Sequence, residues 1–276
     1  MFTHTRLIGL LVALLMVLAM PTQADEETPF PGRAKYPNTP YITTEQLFDE
    51  YEQIIIIDSR SSFEYQTLKI SSALNIPLSS QTADYVIRLQ QLRNKHPYKK
   101  IVFYCNGHSC YKSYKATLKA KMIAKLDNIF AYDAGVFDWA RAHPEKATLL
   151  GQSPVNLNDL ISSENLKKHI LPSLKFIKQA TDKTIIVDVR SRDQREGFYV
   201  FSGFEKKIPL SDKEGLKKII RLAKKQNKAL YIYDAVGKQV RWLQYFLEKH
   251  NAKDYYFMKG GALAYYDIPM NDLLDN

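Results

Sequence analysis

Short apolar runs alternate with amphipathic stretches along most of the chain. The runs at residues 54–57, 101–104 and 129–132 contain no charged residue. Between them, residues 83–95 and 113–126 carry apolar positions at helical spacing. Uninterrupted runs of this length are typical of strands that are buried on both faces of a parallel sheet. The pattern therefore predicts an α/β fold in which helices flank a small parallel sheet.

The same series of elements occurs a second time, about 130 residues further along. Apolar runs lie at residues 184–187, 229–233 and 255–258, a helix is predicted over residues 166–179, and two more over 214–226 and 239–250. The polar residues that end the first run also correspond, since Asp58 and Arg60 match Asp188 and Arg190. The repetition predicts two tandem α/β domains, at residues 41–150 and 151–276.

The first 24 residues have the pattern of a secretory signal peptide. Arg6 precedes an uncharged apolar segment at residues 7–20, Pro21 ends it, and Ala24 supplies a small residue at the cleavage position. The segment is shorter than the roughly 20 residues that a membrane-spanning helix needs, although an uncleaved anchor remains the alternative. We expect a periplasmic protein without stable membrane insertion after cleavage. Residues 25–40, which are rich in proline, are predicted to form an extended leader.

Composition and charge narrow the function classes. Two cysteines in 276 residues exclude a disulfide-stapled scaffold and a four-cysteine metal centre, and no metal or organic cofactor is implied. Lysine and arginine exceed aspartate and glutamate by 39 to 29, which favours small anionic substrates. The lysines are spread over many helix faces, whereas a nucleic-acid-binding protein concentrates them in a stripe. We therefore predict no nucleic-acid partner.

The candidate chemistry lies in the loop that follows the run at residues 101–104. In order, the loop contains Cys105, Asn106, Gly107, His108, Ser109, Cys110, Tyr111, Lys112 and Ser113. Loop N–H groups and the start of the next helix place positive potential there, which lowers the pKa of a thiol. We expect Cys105 to be the low-pKa nucleophile, with Lys112 as the nearby cation and Cys110 titrating at higher pH. A Cys105–Cys110 disulfide is the alternative.

Several motifs, taken in order, resemble the rhodanese domain, a sulfurtransferase module. They are Asp58-x-Arg60, the stretch from Ala73 to Pro77, the strand followed by Cys105, and Gly135 with Trp139 four residues later. The resemblance implies a catalytic Cys105 that accepts a sulfane sulfur from an anionic donor such as thiosulfate. The resulting persulfide would pass the sulfur to a thiol or cyanide-like acceptor. It also implies that Asp58 and Arg60 are structural.

The chain departs from the rhodanese pattern at two places. Lys112 and Ser113 follow Cys105 two residues later than usual, which leaves Cys110 as a resolving or alternative thiol. In the second half Asp234 stands where the cysteine is expected, so this half is predicted to be inactive. Two other function classes stay open. One is a non-catalytic interaction module with a Cys105–Cys110 disulfide and a protein partner, and the other is a thiol redox protein.

Overall fold

A computed structural model describes residues 30–196, 198–201, 203–269 and 271. The predicted signal peptide and residues 25–29 of the predicted leader lie outside this part of the chain. Among the helices in these ranges, none combines the length and apolar character needed to cross a lipid bilayer.

The first half builds a parallel sheet with helices around it. Its helices are α1 (Pro31–Lys35), α2 (Thr44–Asp49), α3 (Ser62–Thr67), α4 (Thr82–Lys95), α5 (Lys112–Met122) and α6 (Gly135–Ala142). Its strands are β1 (Tyr41–Ile42), β2 (Ile55–Asp58), β3 (Leu68–Ile70), β4 (Leu74–Asn75), β5 (Ile101–Tyr104), β6 (Ile129–Tyr132) and β7 (Ala147–Leu149). Five strands form the sheet in the order β1-β6-β5-β2-β4, and β3 pairs with β7 separately in antiparallel fashion.

The second half builds a parallel sheet of the same kind. Its helices are α7 (Ser163–Lys168), α8 (Ser173–Gln179), α9 (Arg192–Arg195), α10 (Lys213–Gln226) and α11 (Val240–Lys249). Its strands are β8 (Ile170–Leu171), β9 (Ile185–Asp188), β10 (Lys206–Lys207), β11 (Leu230–Tyr233) and β12 (Tyr255–Met258). The order β8-β12-β11-β9-β10 repeats the relative order of the first sheet, strand for strand. The predicted α/β fold with parallel sheets flanked by helices is confirmed.

One hydrophobic core runs from the first half into the second. It includes Trp139 and Phe137 of α6 together with Trp242 and Phe246 of α11. The Phe137 and Trp242 rings stack with their centroids 5.2 Å apart. A second cluster covers the other face of the first sheet, and a third covers the other face of the second sheet. The two halves are therefore joined by a buried apolar contact between α6 and α11.

Two local predictions are wrong. The single helix expected over residues 166–179 is interrupted, because Pro172 cannot continue a helix and the residues before it form the edge strand β8. The leader is not extended throughout, since Pro31 begins the short helix α1, where a fixed φ favours the first helical turn. Arg33 of α1 binds Asp133 at 2.9 Å, and this ion pair attaches the helix to the end of β6.

Candidate active site

The two cysteines lie in the loop between β5 and α5, at the carboxyl end of the sheet. Both thiols are free, Cys105 is fully buried and Cys110 is partly exposed. The Cys105 thiol donates a hydrogen bond to the carbonyl oxygen of Cys110 at 3.0 Å. Its sulfur also lies 3.7 Å from Ser113 Oγ, at the start of α5. Of the two thiols, only Cys110 reaches the surface.

The electrostatics of the loop favour Cys110 as the thiolate. Burial raises the pKa of the Cys105 thiol well above its ordinary value, and the neighbouring Cys110 raises it further. A hydrogen bond with Cys105 lowers the pKa of Cys110 to about 6, and the N–H groups of Asn106 and Lys112 act in the same direction against burial. This order of the two thiol pKa values is the reverse of the expected one. The cradle acts on both sulfurs, since the N–H groups of Asn106 and Lys112 lower the pKa of Cys110 and the N–H of Ser113 opposes the rise at Cys105.

The backbone of the loop is held from one side by the turn between β6 and α6. Val136 N–H donates to the Cys105 carbonyl oxygen at 3.0 Å, and within the loop Cys110 N–H donates to the Gly107 carbonyl oxygen at 2.7 Å. Gly135 has a φ of +75°, and a Cβ at this position would lie 2.5 Å from the Asn106 carbonyl carbon. The closing Gly135 is thus required because the thiol loop passes directly over it.

Three polar side chains hold the loop from the other side. Arg60 Nε donates to Asp58 Oδ1 at 2.9 Å, and both side chains of this ion pair are fully buried. Arg60 also contacts the thiol loop, because its Nη1 donates to Asn106 Oδ1 at 3.3 Å. Asn106 Nδ2 in turn donates to Glu64 Oε1 at 3.1 Å. Both ends of the Asn106 amide are therefore bonded, which fixes its orientation.

Sequence reasoning did not single out Glu64. The pattern Ser61-x-x-Glu64 predicts a capping box, and the structure contains one at the start of α3. The same carboxylate lies 3.6 Å from the Lys112 ammonium, in addition to its bond with Asn106. Burial works against ionisation of Glu64, but Lys112 and Arg60 hold its pKa below the ordinary value. The spacing of Ser61 and Glu64 is a signal for the helix cap, and it carries no information about the link to the thiol loop.

The remaining loop residues face outward or toward the leader. His108 Nε2 lies 2.7 Å from Asp138 Oδ2, and Phe30 stacks on the imidazole with centroids 4.3 Å apart. Tyr111 contacts the ring of Tyr36, and Ser109 is exposed. Among the described contacts, these side chains bond to groups other than the two sulfurs.

The corresponding loop of the second half is filled by its own carboxylate. Asp234 is buried and accepts hydrogen bonds from the N–H groups of Gly237 and Gln239, the latter at 2.6 Å. Burial raises the pKa of Asp234, although these N–H groups oppose the rise. The second loop therefore has an anion cradle of its own, and a side chain that cannot carry sulfur occupies it.

Comparison with known families agrees with this geometry. Residues 43–142 match the family model described as the rhodanese-like domain. The match contains β2, the thiol loop and the whole of α6, which are the parts of the fold that build the cradle. No curated protein matches the chain.

Solved structures with a similar fold include enzymes and proteins of unstated activity. A thiosulfate sulfurtransferase from Pseudomonas aeruginosa is 16% identical over 88% of this chain and 45% of its own, with a TM-score of 0.34. A rhodanese-related protein from Thermoplasma volcanium is 18% identical over 38% and 93%, with a TM-score of 0.28. An As-Sb reductase from Leishmania major is 20% identical over 48% and 97%, with a TM-score of 0.35. At such low identity, no activity is transferred from them to this chain.

Proposed function

We propose that the protein is a sulfurtransferase that moves a sulfane sulfur from a small anionic donor to a thiophilic acceptor through a persulfide in the thiol loop. The observation that carries the proposal is the partly exposed Cys110, whose pKa of about 6 makes it largely a thiolate at neutral pH. Thiolates rather than thiols are the attacking species in sulfur chemistry. The rhodanese-like domain supplies the surrounding loop.

In the first step, the Cys110 thiolate attacks the outer sulfur of a donor such as thiosulfate. A bond forms between the two sulfurs, the sulfur–sulfur bond of thiosulfate breaks, and sulfite leaves with the electron pair. The terminal sulfur of the resulting persulfide is anionic, so the N–H groups of the cradle stabilise it as they stabilise the thiolate. Lys112 adds a full positive charge beside the same site.

In the second step, an acceptor thiolate or cyanide ion attacks the terminal sulfur and the Cys110 thiolate leaves. The acceptor becomes a persulfide or thiocyanate, and the enzyme returns to its starting state. The proposal thus differs from the sequence-based prediction in the attacking residue. Cys105 is fully buried with a raised pKa, which disfavours it as the first nucleophile.

The proposed role of Cys105 is that of a resolving thiol. It hydrogen-bonds within the same loop, next to Cys110. Transfer of the Cys105 proton to the terminal sulfur of a Cys110 persulfide would make Cys105 the thiolate that attacks the inner sulfur, which forms the Cys105–Cys110 disulfide and releases HS⁻. This contact is also the observation that favours the second candidate function, a thiol redox protein.

The location and division of the chain remain part of the proposal. Residues 1–24 are removed on export to the periplasm, residues 25–40 form the leader, residues 41–150 carry the chemistry, and residues 151–276 form an inactive domain of the same kind. N-terminal sequencing of the exported protein should begin at Asp25. Recovery of the chain from a membrane fraction with Met1 intact would contradict export with cleavage.

The activity is tested by thiocyanate formation from thiosulfate and cyanide, with the protein reduced beforehand. Cys110→Ser should abolish turnover, whereas Cys105→Ser should retain it within a few-fold because serine keeps a hydrogen-bond donor at this position. The opposite result would assign the chemistry to Cys105. If the reduced wild type transfers sulfur from neither thiosulfate nor polysulfide, and the isolated protein contains the disulfide, the interaction-module alternative is favoured instead.

A further inference from the structure

Gln239, the residue that precedes α11 in the second half, contacts Glu64, one of the side chains that hold the thiol loop. Gln239 Nε2 donates to Glu64 Oε2 at 3.1 Å, and Ser61 Oγ donates to Gln239 Oε1 at the same distance. Glu64 is only 1% exposed, so the bond from Gln239 is made where water cannot replace it. A polar residue of the second half therefore completes the environment of a buried carboxylate in the first.

Glu64 transmits this contact to the residue after Cys105. Its other oxygen, Oε1, accepts a hydrogen bond from Asn106 Nδ2, and the Asn106 N–H is one of the groups that stabilise the Cys110 thiolate. Glu64 and Asn106 therefore connect Gln239 to the sulfur, and Lys112, whose ammonium lies 3.6 Å from Glu64, is a second group between that carboxylate and Cys110. The Asn106 side chain thus joins Glu64 and Arg60 to the backbone of the thiol loop.

A second contact from α11 reaches the same asparagine. The Trp242 ring centroid lies 4.9 Å from the guanidinium of Arg60, which donates to Asn106 Oδ1. Arg60 is itself fully buried and paired with Asp58. Two side chains, Glu64 and Arg60, hold the Asn106 amide. At the start of α11, Gln239 hydrogen-bonds to Glu64 and the Trp242 ring packs against Arg60.

Gln239 is in turn fixed by the residue that replaces the cysteine. Asp234 Oδ2 accepts the Gln239 N–H at 2.6 Å, and Asp234 Oδ1 accepts the N–H of Gly237. These bonds hold the backbone of residues 234–239. In the first half, by comparison, the N–H groups of Asn106 and Lys112 act on the thiol of the partly exposed Cys110.

We propose that residues 234–239 of the second half are a positioning element for the thiol loop of the first, acting from Asp234 through Gln239 and Glu64 on Asn106. Residues 234–239, which cannot carry sulfur, thereby position the thiol loop, which can. The inference rests on the proposed function for its effect on turnover, but its effect on the thiol is independent of any sulfur donor.

The test is the substitution Gln239→Met, which keeps the length of the side chain and removes both hydrogen bonds. Cys110 is followed in a Cys105→Ser background by the pH dependence of its alkylation. We expect the midpoint to rise by up to about one pH unit, because one unit corresponds to the loss of a modest hydrogen bond. Thiocyanate formation at neutral pH should fall by up to about twofold in the same variant, because a rise of the Cys110 pKa by one unit from about 6 lowers the thiolate fraction from about nine-tenths to about one-half.

A matched control breaks a contact between the halves that does not involve Glu64. Lys213 Nζ donates to Gln66 Oε1 across the same boundary, and both side chains are exposed. Lys213→Met should leave the alkylation midpoint and turnover unchanged. A second variant, Asp234→Asn, places an amide N–H against one of the two loop N–H groups, and it should move the midpoint in the same direction as Gln239→Met.

The outcomes distinguish the positioning role of residues 234–239 from the proposed sulfurtransferase activity. A raised midpoint in Gln239→Met and Asp234→Asn, with normal thermal unfolding and an unchanged Lys213→Met, supports the positioning role even if the wild type transfers no sulfur. Active wild type with an unchanged midpoint and turnover in Gln239→Met would overturn it while leaving the sulfurtransferase intact. A midpoint that moves equally in Lys213→Met would also overturn it, because the effect would then belong to the interface as a whole.

Discussion

At the scale of single residues, the chemistry of the loop depends on which of its two thiols is the thiolate at neutral pH. The residue types and their order indicated a reactive cysteine between a strand and a helix, and the loop provides one. The order of the two pKa values was not predictable, because it depends on which side chain turns toward the N–H groups of Asn106 and Lys112. Both cysteines belong to the same loop, and sequence spacing does not encode that choice.

The lysine beside Cys110 gives the first residue-scale prediction. Lys112→Met should raise the midpoint of Cys110 alkylation, since a nearby positive charge favours the thiolate. A shift of a few tenths to about one unit is expected for a partly exposed cation. Lys115→Met, on an exposed face of α5 one turn further along, should not change the midpoint. Equal shifts in both variants would mean that the Cys110 thiol responds to the overall surface charge and not to Lys112 in particular.

The buried ion pair beneath the loop gives a second residue-scale prediction. Asp58→Asn leaves the Arg60 guanidinium buried without its counter-charge, and both side chains are fully buried. Removing one partner of such a pair costs about 3–5 kcal/mol. Urea unfolding of the variant should show a loss of free energy of this size. A loss below about 1 kcal/mol would mean that water reaches Arg60 and compensates it.

At the scale of elements, the strands and long helices followed from the apolar pattern, and the short edge pieces did not. The runs that became β2 and β5 are buried throughout, and β6 is buried except at Phe130, so each appears in the sequence as a short uninterrupted run rich in β-branched and aromatic residues. The two-residue strands β1 and β8 carry too few residues for any period. They are strands because they pair with the free edges of β6 and β12, and this pairing is a tertiary contact.

The turn between β6 and α6 gives an element-scale prediction. Gly135→Ala adds a methyl group that overlaps the backbone of Gly107, in addition to the strain of a left-handed residue. Gly151 is a matched control, because its φ is +88° and nothing lies within 4 Å of the added Cβ. Gly151→Ala should cost about 1–2 kcal/mol and leave Cys110 unaffected. Gly135→Ala should cost more free energy of unfolding than Gly151→Ala, and it should raise the midpoint of Cys110 alkylation. Equal effects of the two substitutions on Cys110 would contradict the close approach of Gly135 to the backbone of Gly107.

At the scale of the whole molecule, the repeat in the sequence predicted two sheets but not how they join. The shared strand order is what the repeated pattern of runs and polar markers indicates. The contacts between Phe137 and Trp242, and between Gln239 and Glu64, pair residues about 100 or more positions apart. Neither pattern nor spacing reveals them, and they are the contacts by which the second half reaches the site.

The shared core leads to a prediction for unfolding. Because one apolar cluster contains α6 and α11 together, neither half can unfold without exposing Trp139 or Trp242. We expect one cooperative thermal transition with equal calorimetric and van't Hoff enthalpies. Two resolved transitions would show that the halves are stable separately and that their contact is weak.

The central claim is that Cys110 carries the sulfur, and the most direct measurement is the intact mass of the reduced protein after incubation with thiosulfate. The account predicts a gain of one sulfur in the wild type and in Cys105→Ser, with no gain in Cys110→Ser. Peptide mapping under non-reducing conditions should place the added sulfur on Cys110. A gain that persists in Cys110→Ser, or its absence from Cys105→Ser, would contradict the assignment and return the chemistry to Cys105.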